Sequence, residues 1–211
     1  MPRVPHHITQ RGNRGQQVFF GDDDYATYKS LLAEGCRQAG VAVWAYCLTP
    51  SHVHVILLPA DADGLRAALG ETHRRYTRHV NTRENWHGYL WQGRFSSFPV
   101  DEDYLLACAR YVELSPVRQS HARRARDWRW SSTRAHLAGR DDGLVQVTPL
   151  LERVDDWKAF LDEPVQREEI VKIRRCESTG RPLGTARFIA RVEKKLGRTL
   201  ARQKPGPKPR A

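Results

Sequence analysis

The chain has 211 residues, 40% hydrophobic and 28% charged, with a formal net charge of +11. That supplies enough apolar material for one packed domain of ordinary size, with or without an appendage, and argues against global disorder. No apolar run reaches the ~20 residues of a membrane helix. The N-terminal MPRVPHHITQRGNRG lacks the apolar segment of a secretory signal, and Cys36, Cys47, Cys108 and Cys176 are too scattered for a CxxC metal site or a disulfide framework. A cytoplasmic protein with reduced thiols, and no membrane partner, is the expectation.

In chain order, Val4–Gln10 reads as a short strand and Arg11–Gly15 as a turn-rich loop. Asp22-Asp23-Asp24 opens a helix carrying Tyr28, Leu31, Leu32 and Gly35, which Gly40 ends. Val41–Leu48 and His52–Leu58 are strand-like runs on either side of a Thr49-Pro50-Ser51 turn. Leu65, Leu69, Thr72, Tyr76 and Val80 mark a second helix, with Arg66, Arg74, Arg75 and Arg78 on its other face. Phe95–Val100 is a further strand region, and Asp101-Glu102-Asp103 caps a helix to about Leu114, before Pro116.

The order β-α-β-β-α-β-α predicts an α+β fold: a ferredoxin-like (split βαβ) antiparallel sheet with packed helices, over residues 1–118. Residues 119–171 read as a packed extension through Trp128, Trp130 and Leu137, with a small helical piece within Leu144–Phe160. Residues 172–211 read as a basic extension, with an amphipathic helix over Ala186–Leu200 and a flexible Pro-rich end at Gln203–Ala211.

Charge follows the same division. Residues 1–117 and 118–171 are each neutral, whereas residues 172–211 hold 13 Lys and Arg against 2 Glu, the whole excess of +11. A neutral body with an Arg-rich tail points to a polyanion, nucleic acid before membrane, because guanidinium forks suit phosphate and no apolar insertion face is visible. A solubilising tail is the plainer alternative.

His52-Val53-His54 lies in the most strand-like run. Side chains at i and i+2 of a strand share a face, about 6.6 Å apart along the axis, so two imidazoles there can converge on one metal ion. A bare HxH is common by chance, and two partly buried histidines are the alternative. On the helix before Pro116, Tyr104, Tyr111 and Ser115 share a face. Tyr111 is either a core tyrosine or, beside a metal site, a nucleophile toward phosphate. Such a metal would polarise a phosphate oxygen.

Seven segments carry a resemblance: PHHITQRGNR at 5–14, AYCLTPSHVHVILLP at 45–59, HRRYTRHVN at 73–81, GYLWQGRFSS at 88–97, YVELSPVR at 111–118, WRWSS at 128–132 and GRPLG at 180–184. In this order they resemble the REP-associated tyrosine transposases, relatives of the single-strand insertion-sequence transposases within the HUH endonuclease superfamily. The resemblance spans nearly the whole chain. It implies His52 and His54 as metal ligands, Mg²⁺ or Mn²⁺ as cofactor, and Tyr111, at the head of YVELSP, as the single nucleophile rather than Tyr104. It implies cutting of single-stranded DNA near hairpins through a 5′-phosphotyrosine, as a monomer or homodimer at the nucleoid.

Two departures stand out. The family places Asn or Gln four residues after the tyrosine as a further ligand, where this chain has Ser115, a shorter and weaker donor. It also carries Met and Asn where this chain has Thr49 and Ser51, outside the ligand pair. As DNA contacts the resemblance and the charge pattern suggest His7, Gln10, Arg11 and Arg14 at the first strand, Arg74, Arg75 and Arg78 on the second helix, Arg94 in WQGRF and Arg181 in GRPLG. Polar edge and solvated-face readings compete at each. Trp91 reads first as a packed residue and second as a base-stacking platform.

Three functions remain open from the sequence: a tyrosine DNA strand transferase, a domesticated non-cleaving binder of repetitive palindromes, which Ser115 permits, and a phosphohydrolase using the histidines alone. A covalent DNA adduct separates the first from the others.

Overall fold

The computed structural model describes residues 1–200; the flexible end expected at Gln203–Ala211 lies outside them. Four strands, β1 (His6–Arg11), β2 (Val41–Thr49), β3 (His52–Pro59) and β4 (Ser96–Pro99), form one sheet in the order β2-β3-β1-β4. Every neighbouring pair is antiparallel. With α1 (Asp22–Gln38) between β1 and β2, and α2 (Gly64–Glu84) between β3 and β4, this is the split βαβ arrangement that the order of elements predicts.

The two faces of the sheet are built from alternate residues of the same strands. Ile8, Val43, Tyr46, Leu48, Val53, Val55 and Leu57 face α1 and α2 and pack with Tyr28, Leu32, Leu69, Tyr76 and Val80 in one buried core. Ala45, Cys47, Ile56 and Phe98 face the other way, into a second core with Leu105, Cys108 and Val112 of α3 (Glu102–Glu113) and Ile173 and Cys176 of α8 (Arg167–Thr179). Burying one such aliphatic or aromatic side chain contributes about 1.5–3 kcal/mol. β1–β3 register pairs Thr9 with His54 and Arg11 with His52, and β2 sets Cys47 and Thr49 beside the same two histidines.

The helix α1 starts where three aspartates meet its N-terminal dipole, and one of them, Asp24, accepts from the Phe20 amide and pairs with Arg83 of α2. Beyond α3 the chain makes α4 (Ser115–Arg118), α5 (Thr133–Ala138), α6 (Thr148–Leu151), α7 (Trp157–Asp162), α8 and α9 (Ala186–Leu196). The basic helix expected over 186–200 thus stops at Leu196, and the division expected at 171/172 falls inside α8.

Both edges of the sheet are covered, which removes open pairing templates. At β2, Leu48 N donates to Trp130 O at 2.8 Å and Ser132 N to Tyr46 O at 2.9 Å, while Trp128 Nε1 donates to Leu48 O. This is the role of WRWSS. At β4, Leu183 N donates to Pro99 O at 2.9 Å and Asp101 N to Leu183 O at 2.8 Å. GRPLG makes this contact possible: Gly180 ends α8 with φ 65°, and a Cβ on Gly184 would stand 2.5 Å from Phe188 Cδ1.

Candidate active site

The histidine strand, the tyrosine helix and the last part of the chain meet over a cavity of about 540 Å³ lined by Arg11, His52, His54, Tyr111, Arg118, Gln119, Arg174, Glu177 and Ser178. His52 comes from the start of β3, His54 from two residues on, and their rings are 4.9 Å apart, nearly perpendicular. Tyr111 is brought over them by α3; its ring lies 5.7 Å from that of His54 and 5.9 Å from that of His7. All three arise from a single chain.

The Nδ1 atom of each histidine has polar partners within hydrogen-bonding distance. Thr49 Oγ1 donates to the His52 carbonyl at 2.9 Å and so has a lone pair for His52 Nδ1–H, 3.1 Å away; Ser51 Oγ is also 3.1 Å from that nitrogen. The two hydroxyls that the sequence placed outside the ligand pair therefore fix the His52 tautomer. Thr9 Oγ1 donates to Glu177 Oε1 at 3.2 Å and stands 3.3 Å from His54 Nδ1, with His7 Nε2 at 3.1 Å and Glu177 Oε1 at 3.5 Å from the same atom. Both protons then sit on Nδ1, which leaves a lone pair on each Nε2; that of His52 accepts from Gln119 Nε2, 3.1 Å away. A histidine whose second nitrogen is bound by hydroxyl or carboxylate is the ordinary form of a metal-ligating imidazole.

Burial strengthens that state. It lowers the His52 pKa to about 4, helped by the charges of Arg11, His121 and Arg118, and pushes that of His54 well below the usual range. Both rings are neutral at neutral pH. Among the described residues, His7, His54 and Glu177 also bring their polar atoms within 4.8 Å of one another, and with the proton on His54 Nδ1 this cluster backs the His54 ring rather than supplying a donor set of its own. The residues present fit a divalent ion, with the two imidazoles of His52 and His54 as donors and Glu177 as the carboxylate behind His54.

Burial raises the Tyr111 pKa, Glu177 adds to the rise, and Arg118 and Arg174 oppose it. Arg118 lies flat on the phenol ring, its Cζ 3.8 Å from the centroid, and donates to the Tyr111 carbonyl at 2.5 Å. Burial likewise raises the Glu177 carboxyl pKa, against the pull of Arg11, the Thr9 hydrogen bond, Arg118 and Arg174.

Of the residues that the sequence singled out, the cavity gathers His52, His54, Tyr111 and Arg11. Arg94 lies beside it, in a smaller hollow of about 170 Å³ shared with Thr9, Arg11 and Glu177. Arg14 is exposed in the next loop, at φ 55°. His7 is fully buried behind His54, and Gln10, paired with Val53 in register, is buried on the opposite face. Arg74, Arg75 and Arg78 lie on α2, also across the sheet, with Arg74 paired to Glu71 and Arg75 to Glu34. Arg181 is half-buried in the segment that covers β4. Ser115 is fully buried, its Oγ accepting from Gln119 Nε2 at 2.7 Å. Trp91 is buried among Tyr28, His73 and Tyr76, as a packed residue.

Sequence reasoning missed Arg118, Gln119, Arg174 and Glu177. Arg118 closes the YVELSPVR segment and was within reach of it; the others had no local signal.

The split βαβ sheet thus carries a paired-histidine strand, a tyrosine helix and an arginine rim on one cavity. The chain belongs to the IS200-like transposase family, whose pattern, described as "Transposase IS200 like", matches residues 2–115. In fold it is similar to a REP-associated tyrosine transposase bound to a REP hairpin, with TM-score 0.58 and 19% identity over 69% of this chain and 87% of that one. It also matches a protein described as a transposase from Deinococcus radiodurans R1, with TM-score 0.40 and 23% identity over 54% of this chain and 91% of that one. Comparison with curated proteins gave no match. No helix among the described residues is long and apolar enough to cross a membrane.

Proposed function

We propose that this chain is a metal-dependent single-stranded DNA endonuclease and strand transferase that cuts near REP-type hairpins through a 5′-phosphotyrosine on Tyr111. The observation that carries the reading is the convergence of Tyr111, His52 and His54 on one cavity rimmed by Arg11, Arg118 and Arg174. His52 and His54 would hold Mg²⁺ or Mn²⁺, which when bound polarises a phosphate oxygen. Two imidazoles favour Mn²⁺ over the more oxygen-loving Mg²⁺.

The protein's own groups do the rest. The three guanidinium groups hold and orient the phosphodiester. Tyr111 Oη bonds to phosphorus, the P–O3′ bond breaks, the phenol gives up its proton, and the departing 3′ oxygen takes one up. Because burial keeps the phenol protonated at rest, the charges of Arg118 and Arg174 serve to stabilise the phenolate as it forms. Attack by a 3′ hydroxyl reverses the step, so joining needs no nucleotide cofactor.

A labelled single-stranded oligonucleotide carrying a hairpin, incubated with Mn²⁺ or Mg²⁺ and run on a denaturing gel, tests this. Wild type is expected to give a slow protein–DNA adduct that Tyr111→Phe and His52→Ala both lose. Hairpin binding without an adduct in either metal would overturn it in favour of a non-cleaving binder of repetitive palindromes.

A further inference from the structure

One polar side chain of the cavity touches a histidine and has no assigned task. Gln119 lies at the end of α4, its amide N–H bonded to Ser115 O at 3.1 Å. It is four residues after Ser115 and therefore one helical turn further along. Its carboxamide folds back into the cavity. Nε2 stands 3.1 Å from His52 Nε2 and donates to Ser115 Oγ at 2.7 Å. The chain thus has a hydroxyl where an amide ligand is expected, and an amide, on a longer side chain, reaching the same histidine from the next turn.

We propose that Gln119 supplies the carboxamide oxygen that position 115 does not, as a protein ligand to the divalent ion beside His52 and His54. This rests on the metal-dependent reading above. The tautomer argument supports it. His52 Nδ1 gives its proton to Thr49 or Ser51, so His52 Nε2 offers a lone pair, and the Gln119 NH₂ now donates to that lone pair. A half-turn about the last side-chain bond replaces NH₂ with Oε1. Two lone pairs 3.1 Å apart repel unless a cation draws on both. The half-turn is therefore unfavourable without metal and favourable with it. Ser115 changes role with it: its hydroxyl accepts from NH₂ in the first state and donates to Oε1 in the second, a buried group that orients the amide without touching the ion.

Mn²⁺ binding, measured by calorimetry on Tyr111→Phe protein so that no cleavage intervenes, tests this with Mn²⁺ alone as probe. Gln119→Ala is expected to weaken Mn²⁺ at least about tenfold, with an unchanged melting temperature in metal-free buffer. Gln119→Glu, which keeps an oxygen at the same reach, is expected to bind as tightly or more tightly. Ser115→Asn added to Gln119→Ala is expected to restore most of the affinity by returning an amide one turn earlier. Mn²⁺ affinity of Gln119→Ala within twofold of its parent, or loss of binding in Gln119→Glu, overturns the role of Gln119 and leaves the functional reading standing. A Tyr111→Phe parent that takes up no Mn²⁺ overturns the functional reading itself.

Discussion

Two histidine–glutamate pairs lie near Tyr111, one with its glutamate on the tyrosine helix and one on the cavity it lines, and they are built for different ends. Glu113, two residues after Tyr111, is fully buried with its partner His136, whose Nδ1 is 2.6 Å from Glu113 Oε1. Ser132 Oγ donates to that same oxygen at 2.6 Å, and Trp157 Nε1 donates to the other at 3.0 Å. The His136 ring stacks on Trp157 at 4.4 Å. Both carboxylate oxygens are satisfied, and the cluster bolts α3 to α5 and α7. Glu177 and His54 stand 3.5 Å apart, share Thr9, and look onto an arginine-lined cavity toward which His54 still has a nitrogen to offer. A buried histidine–carboxylate pair does not by itself mark a site. The one that does has unspent valence facing a cavity.

The comparison can be broken in order of effect. Tyr111→Phe is expected to abolish the covalent adduct altogether while leaving the melting temperature near wild type, because the ring contacts to His7, His54 and Arg118 remain. An adduct surviving in this variant would move the nucleophile elsewhere. Glu113→Ala is expected to do the reverse. It leaves Ser132, His136 and Trp157 without their shared acceptor, and breaking a buried pair of this kind costs about 3–5 kcal/mol. Urea unfolding measures it. A loss under ~1 kcal/mol would mean that this cluster does not hold the tyrosine helix.

Glu177→Gln sharpens the contrast. It keeps the shape and the Thr9 contact and removes the charge behind His54. A partner at that remove from a metal changes affinity by about 10–100-fold. Mn²⁺ titration is expected to show a fall in that range, with a urea midpoint that moves far less than in Glu113→Ala. If stability falls as much as in Glu113→Ala while Mn²⁺ affinity holds, then Glu177 belongs to the structural kind.

The strands and the first three helices were legible because their signal is periodic and local: HVHVILL alternates, and α2 repeats its apolar residues at helical spacing. The same alternation placed His52 and His54 on one face, and the motif order pointed to Tyr111. What escaped was brought in from far along the chain. Only Ile173 and Cys176 of α8 are buried, in a helix otherwise rich in charge, so its apolar signal is thin. Nothing local in REEIVKIRRCEST says that Glu177 reaches a histidine 123 positions earlier, as their 3.5 Å approach shows. Gln119 was hidden because α3 stops at Glu113 and a new short helix begins at Ser115, which carries the 115–119 spacing across a break. Edge coverage by WRWSS and GRPLG is likewise a pairing of distant backbone, invisible to periodicity.

Acid should expose the smallest of these differences. His6 is buried at the start of β1, its Nδ1 2.9 Å from Ser97 Oγ and its Nε2 2.9 Å from the N-terminal amine. Burial first, and the terminal charge second, lower its pKa to about 3. In the unfolded chain it titrates near 6.5, so between pH 6.5 and about 3 the unfolded state holds the extra proton. Its contribution is therefore complete above pH 6.5 and shrinks as pH falls, by up to about 1.4 kcal/mol per pH unit. His7 and His52, lowered mainly by burial to about 3 and about 4, act in the same sense from the site's side of the sheet. Urea midpoints of metal-free protein are expected to drop steadily from pH 7 to pH 5, and His6→Gln to flatten the slope by about one proton's worth. Adding Mn²⁺ should restore part of the loss by holding His52 and His54 unprotonated, while leaving the His6 share untouched. A profile that is flat from pH 7 to pH 5 would mean that these rings are charged in the folded protein, and a charged His52 could not serve as a ligand.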